Sequence, residues 1–287
     1  KHWLSVLFSS FFRNSGSAGI TIPSCPYRHP SILNSSLVML AVKMHKYLMH
    51  LDRQGRISCK HVFNANRIGR PYLVELDGLS LDVGLLYYLS HVYEIIKYTN
   101  LQVKGNYIFA DLGAGFGGII SFLLRLFPNS KAIVFDLPET LIFSTYYLCK
   151  NFKSKKIGLF SDFQNIEEGI DKFDIILLPS WMIEKMPLAK VDCFINTGSL
   201  PEMGKETALH FINVIRKVIK PGGYFYSYNI WSSLKTDLKV RHGVEELFAS
   251  ASLGRDFDFV CDEYIKPLND IFDIKEMKKT ILKRKEI

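Results

Sequence analysis

Asp111-Leu-Gly113-Ala-Gly115-Phe-Gly117-Gly118 is the stretch on which the fold of this chain turns. A short apolar run, Tyr107 to Asp111, precedes it, and a longer one, Ile119 to Phe127, follows. The first has the length of a buried strand and the second that of a helix. A glycine-rich turn between strand and helix is the context in which such turns bind ligands. Glycine adopts backbone conformations that a Cβ forbids, and it lets the main chain approach a ligand closely. Gly113, Gly115 and Gly118 satisfy GxGxxG, the dinucleotide pattern; Gly113, Gly115 and Gly117 satisfy GxGxG, the S-adenosylmethionine pattern. Asp136 closes the next strand, Lys131 to Asp136, and suits either ligand, since a carboxylate there accepts hydrogen bonds from two ribose hydroxyls.

Three features favour the second pattern. Asp111 stands two residues before the first glycine, where it would repel a pyrophosphate but stabilise the positively charged methionine portion of S-adenosylmethionine. The break Lys220-Pro-Gly-Gly223, followed by the aromatic strand Tyr224 to Tyr228, fits a methyltransferase sheet. A nicotinamide-dependent oxidoreductase, the competing class, needs a catalytic set of its own. Tyr146 and Lys150 have YxxxK spacing, but so do Tyr93 and Lys97, and Tyr146 falls too early in the chain for a catalytic helix.

Outward from the glycine turn, strand and helix alternate. Pro138 opens a helix, where its fixed φ suits the first turn. Phe173 to Leu178 and Val191 to Asn196 read as buried strands, and Lys205 to Ile219 as an amphipathic helix. This alternation predicts an α/β fold with a Rossmann-like, doubly wound, mostly parallel sheet, whose ligands bind at the carboxyl ends of the strands. Before residue 105 the pattern is mainly helical: Leu37 to Leu51 and Leu85 to Tyr98 are the expected helices, and Ile68 to Gly78 between them reads as a short strand pair or an extended segment with an Asp-Gly turn. The chain thus divides into residues 1–104, a helical substrate, lid or dimerisation region, and residues 105–287, the cofactor-binding domain.

Composition limits the function classes. The 287 residues are 48% apolar and 22% charged, which excludes disordered, collagen-like and coiled-coil chains. No run of 18 apolar residues occurs, so no transmembrane helix is expected. The five cysteines are widely spaced and lack a CxxC pair; they read as reduced thiols in a cytoplasmic protein. His45, His50, Cys59 and His61 lack the spacing of zinc sites, and no metal is expected. Leu4, Leu7, Phe8 and Phe11 follow helical spacing and suggest a packed amphipathic helix at a subunit contact, hence a candidate homodimer. The net charge of +8 suits either an anionic partner or a solvated basic surface. The Lys275 to Lys285 stretch reads as a solvated helix by default, with peripheral contact to an anionic membrane surface as the sharper alternative. Nucleic acid is not expected, because no nucleic-acid-binding motif accompanies the charge.

The motifs together resemble the sugar O-methyltransferase family of class I S-adenosylmethionine-dependent methyltransferases. The resemblance rests on Asp111 to Gly118, Val134-Phe-Asp136-Leu-Pro-Glu139, Tyr146-Tyr-Leu148 and, above all, Phe194-Ile-Asn196-Thr-Gly-Ser-Leu-Pro-Glu202-Met203. Ile68-Gly-Arg-Pro-Tyr72 resembles a further segment of that family, with Arg70 in place of its Asn. The resemblance covers roughly residues 65 to 230. It implies S-adenosyl-L-methionine as cofactor, S-adenosyl-L-homocysteine as product, and a sugar, nucleotide-sugar or lipid-linked glycan as acceptor. Carried onto this chain, Asp111, Gly113, Gly115 and Gly117 line the cofactor, Asp136 holds the ribose with Leu137 beside it, and Asn196 lies nearby. Two segments compete for the adenine: Ser180-Trp181, which is preferred for its spacing to Asn196, and Asp162-Phe163, an acidic-aromatic pair.

A sugar hydroxyl is a poor nucleophile, so a base or a metal should help remove its proton. Glu202, on the loop after Asn196, carries the family match; His242, on the loop after Asn229, has the intrinsic pKa nearer neutrality. Asp237 shares the second loop. Tyr72, His91, Arg67 and Arg70 are candidate acceptor contacts, with basic groups suited to a nucleotide-sugar phosphate. The other readings are an O-methyltransferase of another small hydroxylated metabolite and a catalytically silent cofactor-binding partner protein.

Overall fold

The computed structural model describes Ile68 and residues 73–76, 79–82, 86–102, 105–230, 243–265 and 277–286. The expected helices at Leu4 to Phe11 and Leu37 to Leu51, the His45–His61 cluster, Arg67, Arg70, Tyr72, Asp237 and His242 lie outside these residues.

Strands β1 (Leu73–Leu76) and β2 (Leu79–Asp82) pair antiparallel with Leu76 opposite Leu79, so the second strand lies beyond the expected Ile68 to Gly78 segment, on the far side of Asp77-Gly78. Helix α1 (Leu86–Tyr98) follows. The main sheet is built from β3 (Ile108–Leu112), β4 (Lys131–Asp136), β5 (Ile157–Leu159), β6 (Ile175–Pro179), β7 (Val191–Thr197), β8 (Ile219–Ile230), β9 (Phe257–Ile265) and β10 (Met277–Arg284). Their order is β5-β6-β4-β3-β7-β8-β10-β9. The first six are parallel, and β10 runs antiparallel to both its neighbours. This is the expected doubly wound α/β fold.

Strand residues alternate between two cores, as the two-residue period of a strand requires. Phe109, Val134, Leu177, Ile195 and Tyr226 face one core with α1, α2 (Gly118–Leu126) and α3 (Pro138–Asn151). Ala110, Phe135, Leu178, Phe194 and Phe225 face the other with α4 (Ile166–Lys172), α5 (Lys205–Val218) and α6 (Val244–Ala251). Both faces are covered, which explains why the central strands read as continuous apolar runs. Helix α1 precedes residue 105 yet shares the first core through Tyr88, Leu89, Val92 and Ile96.

Two expectations are corrected. The Pro-Gly-Gly break does not precede a separate strand, because α5 ends at Val218 and β8 begins at Ile219. The register against β7 jumps from Val191↔Ile219 to Cys193↔Tyr224, so Lys220 to Gly223 is accommodated as a bulge, with Gly222 at φ +76°. The basic C-terminal stretch is not a solvated helix: Met277–Arg284 is β10, inserted between β8 and β9. Its lysines are neutralised locally. Lys279, 5% exposed at its side chain, lies 2.6 Å from Glu94 of α1 and 2.8 Å from Glu263 of β9. Lys278 pairs with Asp262 at 3.1 Å and approaches Glu245 at 3.6 Å. Among the described residues no helix is long and apolar enough to cross a membrane.

Candidate functional site

The connection after β3 leads toward β4, whereas β7, on the other flank of β3, leads toward β8. The sheet therefore has its topological switch point between β3 and β7, and open α/β sheets bind their ligands at the carboxyl ends of the strands on such an edge. The glycine turn lies on this edge. Gly113, Gly115 and Gly117 have φ of +75°, +58° and +86°, a region that other residues seldom enter. A Cβ on Gly113 would lie 2.5 Å from the Ser199 side chain, and one on Gly118 would lie 2.8 Å from the Tyr88 ring. The turn is closed by Gly113 N–H donating to the Phe135 carbonyl at 2.8 Å.

Asp136 stands at the end of β4 beside that turn. Its Oδ2 accepts from Gly115 N–H and its Oδ1 from Leu137 N–H, each at 2.7 Å. Burial raises the Asp136 carboxyl above its ordinary range, against the lowering effect of these bonds and of the Thr140 hydroxyl. Each oxygen keeps lone-pair capacity for a further donor. Leu137, next in sequence, is 59% exposed. Asp111 is different: it is 1% exposed, and its Oδ1 is buried with no hydrogen-bond partner. Burial, and then the nearby Asp136 charge, push its carboxyl well above the ordinary range.

Strand order separates the two adenine candidates. β6 lies directly beside β4, with Pro179 opposite Asp136, so Ser180-Trp181 begins next to the Asp136 carboxylate. Ser180 is half-buried and Trp181 is 57% exposed. Asp162-Phe163 follows β5, one strand farther out. Asp162 accepts from Leu159 N–H at 2.8 Å, and Phe163 is buried against Phe173.

Asn196, at the end of β7, is fully buried, and its amide is committed to the protein. It donates to the Leu112 carbonyl at 2.8 Å, and its Oδ1 accepts from Asn229 Nδ2 at 2.9 Å. Ser199 Oγ donates to the same Leu112 carbonyl at 3.1 Å, and Asn229 Nδ2 reaches Ser227 Oγ at 2.8 Å. This polar cluster ties together the ends of β3, β7 and β8 and seats the following turn against the glycine loop. Glu202 is exposed on that turn, where its N–H donates to the Ser199 carbonyl at 3.1 Å. Gly204 is the N-cap residue of α5. Ser199, Ser227 and Asn229 are members of the site edge that the motif reading passed over. Ser199 lay within the motif run, whereas Asn229 had no local signal.

His91 is not an acceptor contact. It is 2% exposed, Nδ1 lies 2.7 Å from the Tyr226 hydroxyl, and the ring meets Tyr226 and Tyr228 edge-on. Burial, reinforced by the Lys279 charge, lowers its pKa to about 3. His210 is exposed and lies 3.0 Å from Glu184, as a solvated helix histidine should. Among the described residues no group of three or more His, Cys, Asp or Glu side chains is placed to hold a metal.

No family profile matches the chain, and no curated protein matches it in sequence. Solved structures do match. Geranyl diphosphate methyltransferase in complex with SAM is similar with a TM-score of 0.51 and 11% identity over 71% of this chain and 87% of that one. The N-methyltransferase NodS from Bradyrhizobium japonicum WM9, in complex with S-adenosyl-l-homocysteine, aligns with a TM-score of 0.46 and 13% identity over 69% and 87%. The pyocyanin biosynthetic protein PhzM aligns with a TM-score of 0.42 and 17% identity over 71% of this chain. The chain spans 58% of PhzM and 56% of the CurJ carbon methyltransferase, little more than half of either. The sheet of this chain, with its glycine turn at the switch point, is the Rossmann-like fold of class I methyltransferases.

Proposed function

We propose that the chain is an S-adenosylmethionine-dependent O-methyltransferase that acts on a hydroxyl of a sugar or glycoconjugate in the cytoplasm. The observation that carries this reading is the pairing of a positive-φ glycine turn with two carboxylates, Asp111 and Asp136, at the switch point. The residues fit the cofactor. The unpartnered buried Oδ1 of Asp111 lacks a donor or cation, and the cofactor's methionine end is cationic. Asp136 retains acceptor capacity for ribose hydroxyls, and exposed Leu137 and Trp181 flank it with apolar surface for a purine. Asn196 supports the site by holding the strand ends rather than by offering its amide.

Bound, the cofactor supplies a methyl group on a positively charged sulfur, already activated toward displacement. The chain then has two tasks: to align the acceptor oxygen with that methyl and to take the hydroxyl proton. Glu202 sits on the turn anchored through Ser199 beside the glycine loop, which suits the second task. His242 is the alternative base. Residues 1–104 are assigned the acceptor wall or lid and a homodimer contact. The Asn196 to Met203 run and the basic front section support a sugar carrying phosphate, either nucleotide-linked or lipid-linked.

Calorimetry with S-adenosylmethionine and S-adenosylhomocysteine, beside NAD and NADP, tests the cofactor. Tighter binding of a nicotinamide cofactor defeats the reading. Gain of one methyl on members of a nucleotide-sugar panel tests the acceptor; transfer to a different hydroxylated metabolite replaces the sugar assignment, and cofactor binding without any transfer points to a silent partner. Glu202→Ala or His242→Ala should lower turnover at least about tenfold with cofactor binding intact, in line with general-base contributions of two to four orders of magnitude.

A further inference from the structure

The two carboxylates of the site are held in unlike ways. Asp136 accepts two backbone N–H bonds. Asp111 lies in the middle of the sheet, between Val134 of β4 and Ile195 of β7, with Oδ1 buried and unpartnered. The titratable groups that act on it or feel it are Tyr88 from α1, Cys193 from β7 and Asp136 from β4. All are neutral or acidic, and no Lys, Arg or His among the described residues pairs with it. Tyr88 and Cys193 are themselves driven toward their protonated forms, first by burial. An ionised carboxylate in such a place is stripped of water without compensation, and a neutral carboxyl is the cheaper occupant. A cation entering the site reverses that preference, because it supplies the missing opposite charge.

We propose that Asp111 couples cofactor binding to proton release: the free protein holds this carboxyl protonated, and a cationic cofactor displaces the proton as it seats. This rests on the S-adenosylmethionine reading of the site. It adds a direction to the cycle. After transfer the sulfur is neutral, so the product gains less from an ionised Asp111. Proton uptake by Asp111 then accompanies and favours product release. The same residue distinguishes the charged cofactor from its uncharged-sulfur product, by charge rather than by shape.

The test is titration calorimetry of the full chain in buffers of different protonation enthalpy, between pH 5 and 7. That window lies below the titration of an α-amino group, about 7.7–8.0, so the cofactor's own amine contributes little. S-adenosylmethionine should release protons on binding, and more than S-adenosylhomocysteine does. Its affinity should rise with pH, with a limiting slope of about tenfold per pH unit for one linked proton. Asp111→Asn should remove both the release and the slope. Binding without proton release, or undiminished release in Asp111→Asn, overturns the proposal while leaving the cofactor reading in place. Failure of either ligand to bind removes the cofactor reading and this inference with it. A second readout needs no ligand. A carboxyl raised in the folded state costs stability as pH climbs from its ordinary value, near 4, toward its folded value. Asp111→Asn should therefore melt progressively higher than the parent as pH rises from about 4 to 8; a constant difference across that range counts against the proposal.

Discussion

At Gly113, Gly115 and Gly117 the requirement for glycine is conformational, since all three have positive φ. Gly113→Ala adds a side chain in that region and drives its Cβ onto Ser199. A cost of about 1–3 kcal/mol in stability is expected from the strain, together with a loss of cofactor affinity measured by calorimetry. The adenine candidates separate by a paired test. Trp181 is exposed beside Asp136, so Trp181→Ala should leave the melting temperature unchanged and weaken cofactor binding by about 1–3 kcal/mol, the range for a base stacked on an aromatic ring. Phe163 is buried, so Phe163→Ala should cost about 3–5 kcal/mol of stability instead. His91, with its pKa lowered to about 3, is neutral when folded and must be protonated on acid unfolding. Its folded value lies below the unfolded one, so the stability it carries is present above about pH 6.5 and drains away as pH falls toward 3. His91→Gln should flatten that part of the acid limb by about 1 kcal/mol per pH unit, read from denaturant midpoints.

Among the elements, β10 departs furthest from what its sequence suggests. Lys278-Lys279-Thr-Ile-Leu-Lys-Arg-Lys285 has helix-forming residues and too little apolar alternation to announce a strand. It is a strand because β8 and β9 pair with it on both sides, and because acidic partners meet its lysines. Glu94 lies 185 positions away and Glu263 sits on β9, so neither is visible as a local charge pattern. Lys279→Ala would leave Glu94 and Glu263 facing each other without the ammonium. An expected loss of about 1–3 kcal/mol in chemical denaturation follows, below the full cost of a broken buried pair because Glu263 is half exposed. The glycine turn and β4 were legible for the opposite reason: their motif, strand and helix lie within thirty consecutive residues. The β6–β4 adjacency that places Trp181 beside Asp136, and the link from Asn229 to Asn196, depend on strand order, which no local pattern encodes.

At the scale of the whole molecule, the net charge is unevenly placed along the chain. Ten of the 36 Lys and Arg but one of the 28 Asp and Glu fall within residues 1–70, which leaves 26 basic against 27 acidic residues in the rest. The surplus of +8 therefore belongs to the front section, and the basic C-terminal strand is balanced by its own acidic neighbours. An anionic acceptor held by that section should bind more weakly as salt rises, because the screening length falls from about 10 Å at 0.1 M to about 3 Å at 1 M. S-adenosylmethionine, seated against enclosed carboxylates, should respond much less. Equilibrium binding of both ligands across that salt range checks the difference, and a parallel salt response of the two would remove the front section from acceptor binding.

The sequence by itself determined the α/β class, the glycine turn after β3 and the carboxylate that closes β4, because backbone conformation and strand–helix alternation are set by neighbours along the chain. Tertiary structure alone decided that the C-terminal lysines form an inner strand, that His91 is a core residue, that Ser180-Trp181 adjoins Asp136, and that Asp111 has a bare oxygen. Each of these depends on which distant segment comes to lie alongside, and on the water and opposite charge that such packing removes or supplies.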